Sequence, residues 1–214
     1  MKRLLNMLED VLWPRALICL CCERGTDGGL LCPACTQELR RLRLPPTEER
    51  VQSVWLYSGC AAKLVRGLKD SCMADCAKLL AEGMAERVLD MQLPPDTVLT
   101  WVTMPAGRLR ERGIDHGRLL CEELSQRTDL RVRRLLCRCR GGHTQRGLTK
   151  EQRQRNLAGR FSCDVEIDTP VLLIDDVLTT GATVQTCMEV LRSSGARDVY
   201  ALTATHVTGS EKNV

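Results

Sequence analysis

The stretch VLLIDDVLTTGAT, residues 171–183, carries most of the information about the fold of this chain. Its first four residues are apolar, which predicts a fully buried strand, and Asp175 and Asp176 follow at the carboxyl end of that strand. A turn rich in hydroxyl groups then leads into a helix, whose N-terminus favours a phosphate through its free N–H groups and its dipole. The residues that we predict to hold this phosphate are Thr179, Thr180, Gly181, Ala182 and Thr183.

The two acids indicate what else the ligand carries. Adjacent carboxylates repel each other and a phosphate, unless sugar hydroxyls or a divalent cation satisfy them. We therefore expect a ligand with phosphate groups, hydroxyl groups and a bound metal ion. A turn selected only for its backbone conformation would explain Gly181, but it would not explain two acids beside three hydroxyl groups.

Strand and helix patterns alternate between residues 51 and 205, which predicts an α/β fold with a mostly parallel sheet and helices on both faces. The predicted strands cover residues 51–57, 98–102, 131–136, 171–174 and 199–205. The predicted helices cover residues 61–68, 74–89, 115–126 and 182–194.

Five of the thirteen cysteines lie between residues 19 and 35. Two C-x-x-C pairs joined by a glycine-rich connection present four thiolates, which predicts a structural zinc site with no open position for a substrate. The predicted ligands are Cys19, Cys22, Cys32 and Cys35. Cys21 is an alternative ligand if the first turn forms differently, and iron is the lesser alternative to zinc. A redox site would need only one C-x-x-C pair, so the presence of two pairs argues against that alternative.

Positive charge is concentrated between residues 108 and 160, where 15 Lys or Arg stand against 6 Asp or Glu, a local balance of +9. A basic loop with Arg108, Arg110 and Arg112 follows the strand at residues 98–102. Ligands of open α/β sheets bind at the carboxyl ends of strands, so we expect this loop and the acid pair at one edge, with the arginines facing a pyrophosphate. Residues 138–150 have the composition of a mobile basic loop.

With these pieces in order, the chain resembles the ComF (GntX-like) family, which joins a cysteine-rich zinc module to a type I phosphoribosyltransferase-like domain. The resemblance rests on the stretch at residues 171–183, on RLRERG at residues 108–113, and on the spacings Q-x-G-L and R-x-x-N-L. Those two spacings include Gln145, Gly147, Leu148, Arg153, Asn156 and Leu157. The family usually continues the Arg-Gly pair with Phe-Asn-Gln, whereas this chain has Ile114, Asp115 and His116.

The resemblance implies that Asp175 and Asp176 hold the ribose hydroxyls of phosphoribosyl pyrophosphate, that the turn holds its 5-phosphate, and that Mg²⁺ accompanies it. It also implies transfer of the phosphoribosyl group to an acceptor, for which the sequence carries no motif. A mobile loop covers the substrate in such enzymes, and the candidates for this cover are Gln145, Arg146, Arg153 and Asn156. His116 and His143 are candidate acids or bases, or ordinary loop residues.

A second hypothesis is a non-catalytic accessory protein of competence and DNA uptake, a role that the resemblance implies. Such a protein would bind DNA through the basic loops and use the fold as a ligand sensor. The composition limits one version of this idea. One Phe, two Tyr and three Trp leave few platforms on which single-stranded bases can stack.

We expect three segments along the chain. Residues 1–48 would form an N-terminal helix and the Cys₄ module, residues 49–208 the phosphoribosyltransferase-like domain, and residues 209–214 a disordered tail. Glu9 and Asp10 interrupt the apolar N-terminal run, and no apolar stretch approaches the ~18 residues of a membrane span. We therefore expect a cytoplasmic protein.

Overall fold

A computed structural model describes residues 18–70, 74–138 and 160–208. Several predictions fall outside these residues. They are the N-terminal helix, the C-terminal tail, and most of the basic stretch, including Gln145, Arg146, Arg153 and Asn156.

The main sheet has five strands, and every neighbouring pair is parallel. Its strands are β1 Val51–Leu56, β2 Val98–Trp101, β3 Arg131–Val132, β6 Val171–Leu178 and β7 Val199–His206. They lie side by side in the order β1-β7-β6-β2-β3. A separate antiparallel pair consists of β4 Cys137–Arg138 and β5 Phe161–Ser162. The prediction of a mostly parallel sheet is confirmed.

The described helices are α1 Pro33–Arg41, α2 Gly59–Asp70, α3 Ala74–Asp90, α4 Ala106–Arg112, α5 His116–Thr128 and α6 Ala182–Ser193. Apolar side chains at helical spacing explain their packing, as in α2, where Ala61, Leu64 and Val65 are fully buried. Asp115 caps the N-terminus of helix α5, because its side chain accepts a hydrogen bond from the backbone N–H of Arg118. Within the described ranges, we find no helix long and apolar enough to cross a membrane.

Helices cover both faces of the sheet, as predicted. On one face, Leu172 and Ile174 of β6 pack in a hydrophobic cluster with α2, α3 and α5. On the other face, Val171 and Leu173 pack in a second cluster with α6. The alternation along β6 follows from the period of two in a strand, which sends successive side chains to opposite faces.

The cysteine-rich segment contributes to the first of these clusters. Cys19, Cys21, Cys32 and Cys35 are buried in the same cluster as α2 and α3. Arg87 of α3 is fully buried and holds the chain between this segment and β1. Its guanidinium donates hydrogen bonds to the carbonyl oxygens of Leu44 and Pro45, which precede β1, and to the carbonyl oxygen of Ser53 within β1. The module and the sheet therefore share a core.

Three sequence predictions need correction. The strand expected over residues 131–136 covers only Arg131–Val132, the two residues that pair with Val98 and Leu99 of β2. The strand expected to end at Ile174 continues to Leu178, because β7 alongside it supplies pairing partners as far as His206. The basic loop is instead the short helix α4, which fits the helix-forming residues AGRLRER. Gly113 ends that helix in the left-handed region, with φ +73°.

Candidate functional site

Asp176 lies at the carboxyl end of the sheet and is only 5% exposed. Its Oδ1 lies 2.9 Å from Nζ of Lys69, near the C-terminus of α2, and its Oδ2 lies 2.8 Å from Nε2 of His116, the first residue of α5. Burial alone would raise the pKa of Asp176, but the contacts with His116 and Lys69 outweigh it, so the pKa lies below its usual value. Asp176 is therefore a buried, ionised carboxylate.

Asp175 has a different environment. Burial, followed by the negative charge of Asp176, raises the pKa of Asp175 to about 7. Its Oδ1 accepts a hydrogen bond of 3.0 Å from the backbone N–H of Asp176. The carboxyl group of Asp175 therefore keeps its proton to a higher pH than that of Asp176.

Because β6 continues past both acids, their side chains leave it on opposite faces. Asp176 faces α2 and α5, where it contacts Lys69 and His116. Asp175 faces α6, where its charge contributes to raising the pKa of Cys187. The two acids thus share an edge of the sheet but have different neighbours.

The predicted phosphate turn, residues 179–183, connects β6 to α6. Gly181 stands immediately before the helix with φ +76°, a conformation that favours glycine. Thr179 and Thr180 are exposed, and the hydroxyl of Thr180 accepts a hydrogen bond of 3.5 Å from the backbone N–H of Ala182, the first residue of α6. Ala182 and Thr183 are half-buried. The turn thus presents a helix N-terminus at the carboxyl edge of the sheet.

The basic helix α4 follows β2, which pairs in parallel with β6. The structure therefore brings α4 and the acid pair to one edge of the sheet, as expected. Arg108 and Arg110 are exposed, and Arg112 is half-buried. Whether these side chains contact a pyrophosphate stays a prediction.

A cavity of about 590 Å³ lies next to α4, but it does not coincide with the predicted site. Its walls include Trp101, Leu109, Ile114 and Asp115, and none of the residues from 175 to 183. The Nε1 of Trp101 donates a hydrogen bond of 2.9 Å to Oδ2 of Asp115, so one wall is fixed to the start of α5.

The sulfur atoms of Cys19, Cys22, Cys32 and Cys35 lie within 4.8 Å of one another, and we call this group the cysteine cluster. The sulfurs of Cys22 and Cys32 are 3.6 Å apart. Tetrahedral zinc, with Zn–S distances of about 2.3 Å, places its sulfur ligands roughly 3.8 Å apart. The four thiols therefore fit one metal ion of this kind.

Arg24 supports the cysteine cluster from outside. Its Nε lies 3.3 Å from the sulfur of Cys22 and lowers the pKa of that thiol to about 6. The alternative ligand Cys21 points elsewhere, because its sulfur contacts the carbonyl oxygen of Cys60 at 3.6 Å. Cys60 itself forms a second possible ligand group with Glu38 and Cys35, so that Cys35 is common to both groups.

Lys69 could not be predicted as a site residue, because nothing in the sequence around it separates it from other surface lysines. Its partner Asp176 lies more than a hundred positions further along the chain. His116 was one of two candidate histidines, and its position at the start of the helix after the basic segment was the available signal. Only the parallel packing of the strands brings both side chains to the acid.

Proteins from two bacteria resemble this chain over most of its length. It is 30% identical to the DNA utilization protein YhgH of Escherichia coli K12 over 201 aligned positions, covering 85% of this chain and 87% of that protein. It is 31% identical to competence protein F of Haemophilus influenzae over 204 aligned positions, with the same coverage. No protein-family model matches the chain.

Solved structures give weaker likenesses. An allosteric regulatory enzyme of purine biosynthesis has a TM-score of 0.40 at 20% identity, covering 59% of this chain and 25% of that one. A hypoxanthine phosphoribosyltransferase of Staphylococcus aureus has a TM-score of 0.38 at 14% identity, covering 63% of this chain and 65% of that one. The fold of this chain follows from the order and the parallel direction of the strands in its main sheet.

Proposed function

Because this chain belongs to the ComF family, we propose that it binds phosphoribosyl pyrophosphate with Mg²⁺ and transfers the phosphoribosyl group to an acceptor. The observation that supports this proposal is the position of Asp175 and Asp176 beside a helix N-terminus, at the carboxyl edge of a parallel sheet. Carboxylates accept hydrogen bonds from sugar hydroxyls, and the turn at residues 179–183 suits a phosphate.

In the proposed reaction, a nucleophile of the acceptor forms a bond to the anomeric carbon while the bond from that carbon to pyrophosphate breaks. The pyrophosphate leaves with the electron pair, so negative charge develops on it. Mg²⁺ would neutralise part of that charge. The arginines of α4 would supply fixed positive charge, and the segment with Gln145, Arg146, Arg153 and Asn156 would cover the site.

Calorimetric titration of the 214-residue chain with phosphoribosyl pyrophosphate and Mg²⁺ tests the proposal. We expect binding by the wild type and loss of binding in the double variant Asp175→Ala, Asp176→Ala. The double variant Asp164→Ala, Asp168→Ala removes two exposed acids elsewhere and should bind like the wild type. If the wild type does not bind the ligand, or the first double variant binds it equally well, the proposal is wrong.

We also propose that the cysteine cluster holds one structural zinc ion, ligated by Cys19, Cys22, Cys32 and Cys35. Four thiolates leave no open coordination position, so the ion would stabilise the fold and would not act on a substrate. The cysteines of the described residues are free, which suits a reducing compartment such as the cytoplasm. Elemental analysis of protein purified without chelator should find about one zinc per chain.

A second candidate function is DNA binding. The two relatives are named for DNA utilization and competence, and this chain exposes arginines on α4 and just after β3, namely Arg108, Arg110, Arg133 and Arg134. Contacts to the phosphate backbone would make the affinity fall steeply as salt rises. A salt titration of binding to a DNA duplex tests this, and a flat response would contradict it.

A further inference from the structure

Two helices that lie far apart in sequence each send one side chain to Asp176. Lys69 comes from the end of α2 and His116 from the start of α5, and each contacts a different carboxylate oxygen. The side chains of Lys69 and His116 are 27% and 18% exposed, respectively. Asp176 therefore has a nitrogen atom within 3 Å of each carboxylate oxygen, Nζ of Lys69 on one side and Nε2 of His116 on the other.

The contact with His116 differs from an ordinary hydrogen-bonded pair. Oδ2 of Asp176 and Nδ1 of His116 are both buried, and neither has a hydrogen-bond partner among the described residues. The distance of 2.8 Å between Nε2 and Oδ2 is that of an ion pair, but the direction is not that of a hydrogen bond. Buried polar atoms are normally satisfied, so both atoms keep hydrogen-bonding capacity that these contacts do not use.

A carboxylate can accept about four hydrogen bonds, two at each oxygen. Lys69 and His116 each approach one oxygen, so lone pairs of Asp176 remain for the hydroxyl groups of a sugar. The two contacts also fix the rotation of the carboxylate. In addition, Lys69 offsets the negative charge of Asp176, which lessens its repulsion of a phosphorylated ligand.

We propose that Lys69 and His116 are positioning residues of the phosphoribosyl site, which orient Asp176 toward the ribose hydroxyls of the ligand. This inference rests on the proposed function, because it assigns the surroundings of one of its two acids. It adds Lys69 and His116 to the site, and of the two only His116 lies near a sequence motif, three residues after RLRERG.

Calorimetric titration of single variants with phosphoribosyl pyrophosphate and Mg²⁺ tests the inference. Lys69→Met and His116→Leu remove the polar group, and each should weaken binding by about tenfold or more. Lys69→Arg and His116→Gln keep an N–H donor and should restore most of the affinity. Lys78→Met is the matched control, because it removes a lysine outside this site whose Nζ lies 3.0 Å from Oδ1 of Asp75. This variant should bind the ligand like the wild type.

A second measurement on the wild type covers the case in which a variant fails to fold. The chain has three histidines, so the ring nitrogen signals of His116 can be followed by NMR and assigned with His143→Gln and His206→Gln. We expect these signals to shift when the ligand binds.

The outcomes are distinguishable. If the wild type does not bind the ligand, both the proposed function and this inference are overturned. If it binds but the His116 signals do not move, the inference alone is overturned. The inference alone is also overturned if the folded variants Lys69→Met and His116→Leu bind the ligand as tightly as the wild type. It is likewise overturned if Lys69→Arg and His116→Gln bind the ligand as weakly as Lys69→Met and His116→Leu.

Discussion

The cysteine cluster and the acid site are built in different ways. The four cysteines come from one short stretch, and two tight turns suffice to bring their sulfurs together. The acid site needs β6, the end of α2 and the start of α5, which meet only when the sheet has formed. A site made within one segment can be predicted from spacing, whereas a site made by packing can be predicted only where it carries a motif.

The same difference predicts how each site fails. Losing a cysteine ligand should remove both a metal ion and part of the shared core. Losing a member of the acid site should change charge balance within a fold that persists. Substitutions in both sites test this contrast.

The double variant Cys32→Ser, Cys35→Ser should have the largest effect. Both side chains are buried, and metal binding contributes to folding directly, so we expect the free energy of unfolding to fall by about 5 kcal/mol. Zinc content by elemental analysis should drop to zero. Cys163→Ser, at a half-exposed cysteine outside the cluster, should keep its metal and its stability. Unchanged zinc in the double variant would contradict the assignment.

Asp176→Asn should destabilise the chain by about 2 kcal/mol at pH 7.5. The change leaves Lys69 without its negative partner, and removal of one member of a buried ion pair is costly, although the exposed part of Lys69 reduces that cost. Urea denaturation measures the effect. A variant as stable as the wild type would mean that the ion pair is not important for folding.

Asp175→Asn should stabilise the chain at high pH, whereas Asp176→Asn destabilises it. The raised pKa, about 7, means that the native state keeps a proton that the unfolded chain loses near the ordinary value. The contribution of Asp175 to stability is therefore complete below about pH 4 and is lost as the pH rises through 7. We expect the variant to gain about 2 kcal/mol at pH 8 and little at pH 4.

Thermal unfolding at both pH values checks this result. A gain of that size corresponds to a rise in melting temperature of about 4–8 °C for a chain of this length. An equal effect at pH 4 and pH 8 would show that ionisation of Asp175 is not the cause.

Gly59→Ala should have the smallest effect, a loss of about 1 kcal/mol. Gly59 has φ +46°, and a Cβ there would lie 1.9 Å from Oε1 of Glu38, which accepts a hydrogen bond from the N–H of Cys60. Gly107→Ala in α4 is the matched control, because a Cβ there meets nothing within 4 Å. Chemical denaturation of both variants should show a loss only at Gly59.

Most of the fold could be predicted from the sequence, because apolar periodicity marks the strands and helices. The errors fell where tertiary pairing decides the outcome. Nothing within residues 171–183 shows that β6 continues past Asp176, since that depends on β7. The arginine-rich segment 106–112 has both the charge of a binding loop and the composition of a helix, and its helical form is the one observed.

The acid site was predicted in part for the same reason. Asp175 and Asp176 belong to a motif, and their location at the sheet edge follows from strand order. Lys69 has no motif of its own, and its role depends on the direction in which α2 runs across the sheet. The cysteine cluster needed no such information, because its four ligands and their spacing stand together in the sequence.

Helix α2 begins beside the cysteine-rich segment, and Lys69 near its C-terminus contacts Asp176. At the start of α2, the backbone N–H of Cys60 donates a hydrogen bond to the side chain of Glu38 in α1. In the second turn of α2, Nζ of Lys63 donates a hydrogen bond to the carbonyl oxygen of Cys21. The cysteine-rich segment shares helix α2 and a hydrophobic core with the sheet. A substitution in one of them therefore changes the packing of the other. Substitutions in residues 18–41 should therefore be inherited together with compensating changes in α2, and alignments of this family can be searched for such pairs.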